Sequence, residues 1–88
     1  MPIIQFDKKF AKQYKKTDEY VRESFNKKLE LFIEHKHSPG LGLHKLHGKY
    51  LNCYSINING DWRAIFRELD DGKLIYFIAI GTHSQLYK

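Results

Sequence analysis

From Leu43 to Lys88 the chain reads LHKLHGKYLNCYSININGDWRAIFRELDDGKLIYFIAIGTHSQLYK, and this stretch decides the fold. Tyr50 to Ile58 alternates, which sets Tyr50, Tyr54, Ile56 and Ile58 on one side of a strand. Asn59-Gly60 follows, a pair that tolerates positive φ and marks a hairpin. Trp62 to Leu69 forms the next strand, Asp71-Gly72 a second tight turn, and Leu74 to Ile80 the last strand. That last run is apolar on both sides, so it belongs inside the sheet. The three runs predict a meander whose polar ends, Leu43 to Gly48 and Ile80 to Tyr87, come close together.

The N-terminal half reads as support for this sheet. Pro2 to Phe6 is short, apolar and partly β-branched, as a first strand would be, and Asp7 can cap a helix behind it. Phe6, Phe10 and Tyr14 recur every four residues among lysines. Thr17, followed by Asp18 and Glu19, marks a second helix start. Val21, Phe25, Leu29, Phe32 and Ile33 then form an apolar stripe that ends before Pro39 and Gly40. Tyr20 and Leu31 share a weaker second face, either the edge of the core or a groove for a partner helix. The predicted class is α+β, with a helical hairpin on one face of a small, antiparallel-dominated sheet. The predicted order is βααβββ, in one domain spanning residues 1–88.

Size and charge narrow the function classes. Eighty-eight residues suffice for one thin-cored domain. No apolar run reaches the roughly 20 residues of a membrane span, and Met1-Pro2-Ile3-Ile4-Gln5 lacks a signal-peptide pattern. No membrane partner is expected. Cys53 is the single cysteine, which fits a reducing compartment, and a cytoplasmic location is expected. A formal charge of +5 and a pI near 9.4 favour a polyanionic partner, either nucleic acid or an acidic protein.

The polar ends hold groups suited to cleaving RNA. Attack by a 2′-hydroxyl needs a base, an acid for the leaving 5′-oxygen, and cations to stabilise the phosphorane. His44, His47, Asp61 and His83 can transfer protons, while Arg63, Arg67, Lys45 and Lys49 supply charge. Trp62 and Tyr87 can stack on bases. Each also has a plainer reading: Arg67 as a surface charge, His47 as a neighbour of Gly48, Asp61 as a turn residue. His83 stands just beyond a buried strand and Gly81, where side chains emerge toward solvent. His35-x-His37 and His44-x-x-His47 could approach a metal, but no cysteine pair or recognised carboxylate spacing accompanies them. Neither a metal nor another cofactor is expected.

At these residues the chain resembles the RelE/ParE toxin superfamily of bacterial toxin–antitoxin systems. His44-Lys45-Leu46-His47-Gly48, Gly60-Asp61-Trp62-Arg63 and the ending Ile80-Gly81-Thr82-His83-Ser84-Gln85-Leu86-Tyr87 look most like the YafQ branch. The resemblance implies a ribosome-dependent endoribonuclease that cuts messenger RNA and is held inactive by a cognate, acidic antitoxin. It implies catalytic roles for His44, Asp61, Arg63 and His83. RNA contacts would fall to Trp62 and Tyr87, joined on the strength of their own charge and chemistry by Lys45, His47 and Arg67. Two positions depart from the pattern: Asn57 stands where relatives often carry a histidine, and Ala79 where many carry an arginine. Arg63 could replace the lost charge. With two-residue turns at both hairpins, however, simple alternation points it to the face opposite Asn57 and Ala79, unless a bulge near Gly60-Asp61 intervenes. The alternative is a binding protein or gyrase-directed toxin on the same fold, with weakened or no RNase activity.

Overall fold

A computed structural model describes residues 1–87. The elements run β1 (Ile3–Phe6), α1 (Lys8–Lys15), α2 (Glu19–Glu34), β2 (His44–Lys45), β3 (Tyr54–Asn59), β4 (Trp62–Leu69), β5 (Leu74–Thr82) and α3 (His83–Leu86). The five-stranded sheet has the order β1-β5-β4-β3-β2. β1 pairs with β5 in parallel, and the other pairs are antiparallel. The predicted α+β order is present. β2 and α3, both short, are additions to it.

Local chemistry explains the helix boundaries. Asp7 caps α1 by accepting the Lys9 N–H at 3.0 Å, and its other oxygen accepts the Tyr76 hydroxyl at 2.6 Å. The Tyr76 bond, with help from Lys9, holds the Asp7 carboxyl below its usual range. Thr17, expected to start α2, instead closes α1 by donating its hydroxyl to the Tyr14 carbonyl at 2.7 Å. Asp18 takes the cap position of α2.

Both long helices cover one face of the sheet. Phe10, Val21, Phe25 and Phe32 pack on Ile56, Ile58, Ala64, Phe66, Ile75, Phe77 and Ile80. Phe25 meets Phe77 edge-on with centroids 5.3 Å apart, and Phe32 meets Phe66 at 5.0 Å. Each such ring contributes about 1.5–3 kcal/mol by leaving water. Leu31 and Leu29 pack against this core, whereas Tyr20 stays exposed.

The other face carries a smaller apolar cluster of Leu46, Tyr50, Cys53, Ile65, Ala79 and Leu86. Tyr50 was expected on the same side as Tyr54, Ile56 and Ile58, which face the helices, and lies here instead. The run Tyr50 to Ile58 is not one strand. Gly48–Tyr50 is a 3₁₀ turn, and Asn52 adopts φ 69°, so alternation begins only at Tyr54.

Two bulges correct a second expectation. Asn57 pairs with Arg63, but Asn59 pairs with Trp62, so Ile58 has no opposite residue. Ile65 pairs with Ala79 while Phe66 pairs with Phe77, which leaves Ile78 extra on β5. Each unpaired residue shifts the alternation by one. Arg63 therefore lies on the same face as Asn57 and Ala79.

Candidate active site

Directly paired residues share a face, so the ladders define rows across the side away from α1 and α2. One row is His44, Ser55, Ile65 and Ala79; the next is Asn57, Arg63 and Gly81. Strands lie about 4.8 Å apart, which puts β2 about 10 Å from β4. His44 and the end of β5 thus stand on opposite sides of Arg63. Arg63 Nη1 donates to the carbonyls of Gly60 at 2.8 Å and Trp62 at 3.0 Å. These bonds steady the guanidinium over the β3–β4 turn, and its remaining N–H groups can meet an anion. The imidazole Nδ1 of His44 lies 2.9 Å from the Gly42 carbonyl. A carbonyl only accepts, so Nδ1 is the donor there, and Nε2 of the neutral ring is left as an acceptor.

α3 brings the C-terminal residues to the end of this face. Thr82 and Gln85 form a reciprocal capping box: Gln85 N–H donates to Thr82 Oγ1 at 3.3 Å, and Thr82 N–H donates to Gln85 Oε1 at 2.9 Å. The His83 N–H donates to the Asp61 carbonyl at 3.1 Å, which ties α3 to the β3–β4 turn. Leu86 is buried, and its carbonyl accepts from Tyr50 Oη at 3.0 Å and Lys49 Nζ at 3.3 Å. The Tyr87 ring then stands edge-on to Tyr50, with centroids 5.6 Å apart, and 4.7 Å from the His83 ring. Burial and the nearby Tyr50 raise the Tyr87 hydroxyl pKa, while Arg63 opposes the shift.

The named residues divide. Arg63, His83 and Tyr87 gather at one end, with Asp61 joined through its backbone and His44 across β3. Arg67 shares the Arg63 face but lies four residues along β4, about 13 Å away. There its charge acts on Cys53, whose thiol burial pushes up. His47 is exposed and leads into the Gly48–Tyr50 turn. Lys45 and Trp62 do not join the group. Lys45 pairs with Tyr54, whose ring packs on the helix-side core, and borders a cleft with Glu68 and Asp71. Trp62 also packs on that core, beside a cleft of about 270 Å³ lined by Gln13, Lys16 and Gln85. Among the described residues, no three His, Cys, Asp or Glu side chains are grouped to hold a metal. Tyr50 and Gln85 were not picked out as site residues. The Thr82-x-x-Gln85 spacing could have revealed the capping box, but Tyr50 carried no such signal.

Residues 3–88 match the family described as "Bacterial toxin of type II toxin-antitoxin system, YafQ". The chain belongs to the YafQ toxin family. It is thus a toxin of a toxin–antitoxin system with RelE-like relatives. One, the mRNA interferase toxin RelE of Escherichia coli K12, is 29% identical over 84 residues, covering 94% of this chain and 84% of RelE. The crystal structure of YafQ from E. coli BL21(DE3) superposes with a TM-score of 0.82 at 20% identity, covering all of both chains. A chain of the intact E. coli RelBE toxin–antitoxin complex gives 0.71 at 25% identity, covering 93% of this chain and 96% of that one. Among the described residues of this YafQ-family toxin, no helix is long and apolar enough to cross a membrane.

Proposed function

We propose that this YafQ-family toxin is an endoribonuclease that cleaves messenger RNA in the ribosome and is neutralised by an acidic antitoxin. The observation that carries the proposal is that Arg63 on β4 lies between His44 on β2 and the end of β5 that leads into His83. In-line displacement sets the attacking and leaving oxygens on opposite sides of phosphorus. A cation flanked by two proton-transfer groups fits that arrangement. His83 transfers one proton at the scissile phosphate, Arg63 stabilises the charge on the phosphorane, and Nε2 of His44 takes the complementary step. Asp61 lies on the His83 side and is better placed to orient that residue than to oppose it. Tyr87 supports the His83 ring and offers a face to a base. Arg67 and His47 extend the RNA-binding surface, and none of these roles requires a metal. Because the bulges put Arg63 with Asn57 and Ala79, it can serve the phosphate although Ala79 carries no charge.

Single-turnover cleavage on programmed ribosomes tests the assignment. Losing a general acid or base typically costs about 10² to 10⁴ in rate. His83→Ala is expected to lose that much while shifting stability by less than about 1 kcal/mol, as at other exposed positions. His83→Gln, which cannot shuttle a proton near neutral pH, is expected to fail almost as badly. Wild-type cleavage by His83→Gln would remove proton transfer from its role.

A further inference from the structure

A polar cleft of about 440 Å³ opens between α2 and the end of β3, lined by Ser24, Lys27, Lys28, Gly40, Asn57, Ile58, Asn59 and Gly60. Its lining contains two lysines and no carboxylate. Lys28 is partly engaged, donating to the Gly40 carbonyl at 2.9 Å, and Asn59 is tied to Ser24 Oγ at 3.3 Å. Lys27 is exposed. Among the described residues, no hydrogen bond engages the Asn57 amide, which lies against Gly42. A Cβ at Gly42 would stand 2.3 Å from Asn57 Nδ2, so glycine there makes room for that amide. Asn57 is also the direct partner of Arg63. One residue therefore belongs both to the proposed cleavage row and to the basic cleft.

We infer that this cleft is a second RNA subsite, holding a backbone phosphate of the substrate strand beyond the scissile one, reached round the edge of β3 at Asn57, where β2 no longer pairs with it. This rests on the ribonuclease reading and extends it by giving the strand a direction. From Arg63 the strand crosses Asn57, whose amide can donate to a phosphate oxygen, and reaches Lys27 and Lys28 beside the β3–β4 turn. The carboxylate-free lining favours a polyanion, and the shared Asn57 favours the strand being cut over an acidic peptide.

The test is binding of single-stranded 2′-O-methyl RNA oligomers, which resist cleavage, extended one nucleotide at a time and titrated over a range of salt. Each phosphate contact on a single strand contributes about −0.7 to the slope of log K against log salt. Lys27→Ala is expected to flatten the slope by about 0.7 and to abolish the affinity gained from the longer oligomers. Lys27→Arg keeps the charge and is expected to retain both. Asn57→Ala, a neutral change, is expected to weaken binding with the slope unaltered. If Lys27→Ala leaves slope and length dependence at wild-type values, or if the wild type does not bind the oligomers even at low salt, the subsite is overturned. The function reading is judged separately, by wild-type cleavage on programmed ribosomes. Cleavage there with an unchanged Lys27→Ala slope defeats the subsite alone, whereas no cleavage defeats the reading beneath it. Competition by an acidic peptide that erases the Lys27 effect, with no such effect on RNA, would reassign the cleft to a protein partner.

Discussion

Tyr50 is the residue through which the sheet holds the C-terminal end, and its removal can be costed. Its hydroxyl donates to the Leu86 carbonyl at 3.0 Å, and its ring supports Tyr87, which in turn lies against His83. Tyr50→Phe removes one neutral hydrogen bond, a net loss of about 0.5–1.5 kcal/mol. Lys49 Nζ remains 3.3 Å from the same carbonyl, so the acceptor is not abandoned and the loss belongs near the lower end. For a domain of this size that is a fall in Tm of about 2–4 °C. The ring stays, so cleavage is expected to change by less than about threefold. Tyr50→Leu also forfeits the edge-on aromatic contact, about 0.5–1.5 kcal/mol more. It also leaves Tyr87 and His83 without that support, and cleavage is expected to fall at least about tenfold, a barrier change of about 1.4 kcal/mol. Thermal melts and single-turnover cleavage of both variants give the answer. If Tyr50→Leu melts lower yet cleaves at the wild-type rate, Tyr50 serves the fold and does not position His83.

Two further outcomes follow from the geometry. Gly42→Ala places a side chain at φ 56°, costing about 1–2 kcal/mol, and displaces the Asn57 amide; in the Gly42→Ala/Asn57→Ala double variant only the backbone cost is expected to persist, and strict additivity in a denaturation cycle would refute the contact. Tyr76→Phe removes the main cause of the low Asp7 pKa, so NMR titration is expected to show that pKa rising toward 3.8. Since a depressed carboxyl contributes stability above its unfolded pKa and loses it as pH falls through the folded one, the variant is expected to be weaker than wild type near neutrality and to converge with it below about pH 3.8.

The architecture was legible where a single period runs uninterrupted. Val21, Phe25 and Phe32 repeat at helical spacing and are buried, and β4 keeps strict alternation through Ala64, Ile65 and Phe66. Legibility failed where one residue interrupts the count. Asn52 at positive φ detaches Tyr50 from the strand that follows, and unpaired Ile58 and Ile78 bring Arg63 to the face of Asn57 and Ala79. A bulge alters parity without altering composition, so periodicity cannot locate it. The position of Trp62 was readable: it has the same parity on β4 as Ala64 and Phe66, which identifies the helix side. The convergence of His83, Tyr87 and Tyr50 depends on α3, whose four residues are too few to show a helical period.

The parallel pairing of Ile3–Phe6 with Leu74–Phe77 has a consequence for how the toxin comes into being. During synthesis the first strand emerges long before its sheet partner exists, and α1 and α2 have no β5 surface on which to bury their phenylalanines. The strand that completes the core is followed directly by the segment that carries His83 and Tyr87. A nascent chain therefore cannot possess a finished sheet without being within a few residues of a finished site. Folding and arming become nearly one event, because both wait for residues 74–87 to be made.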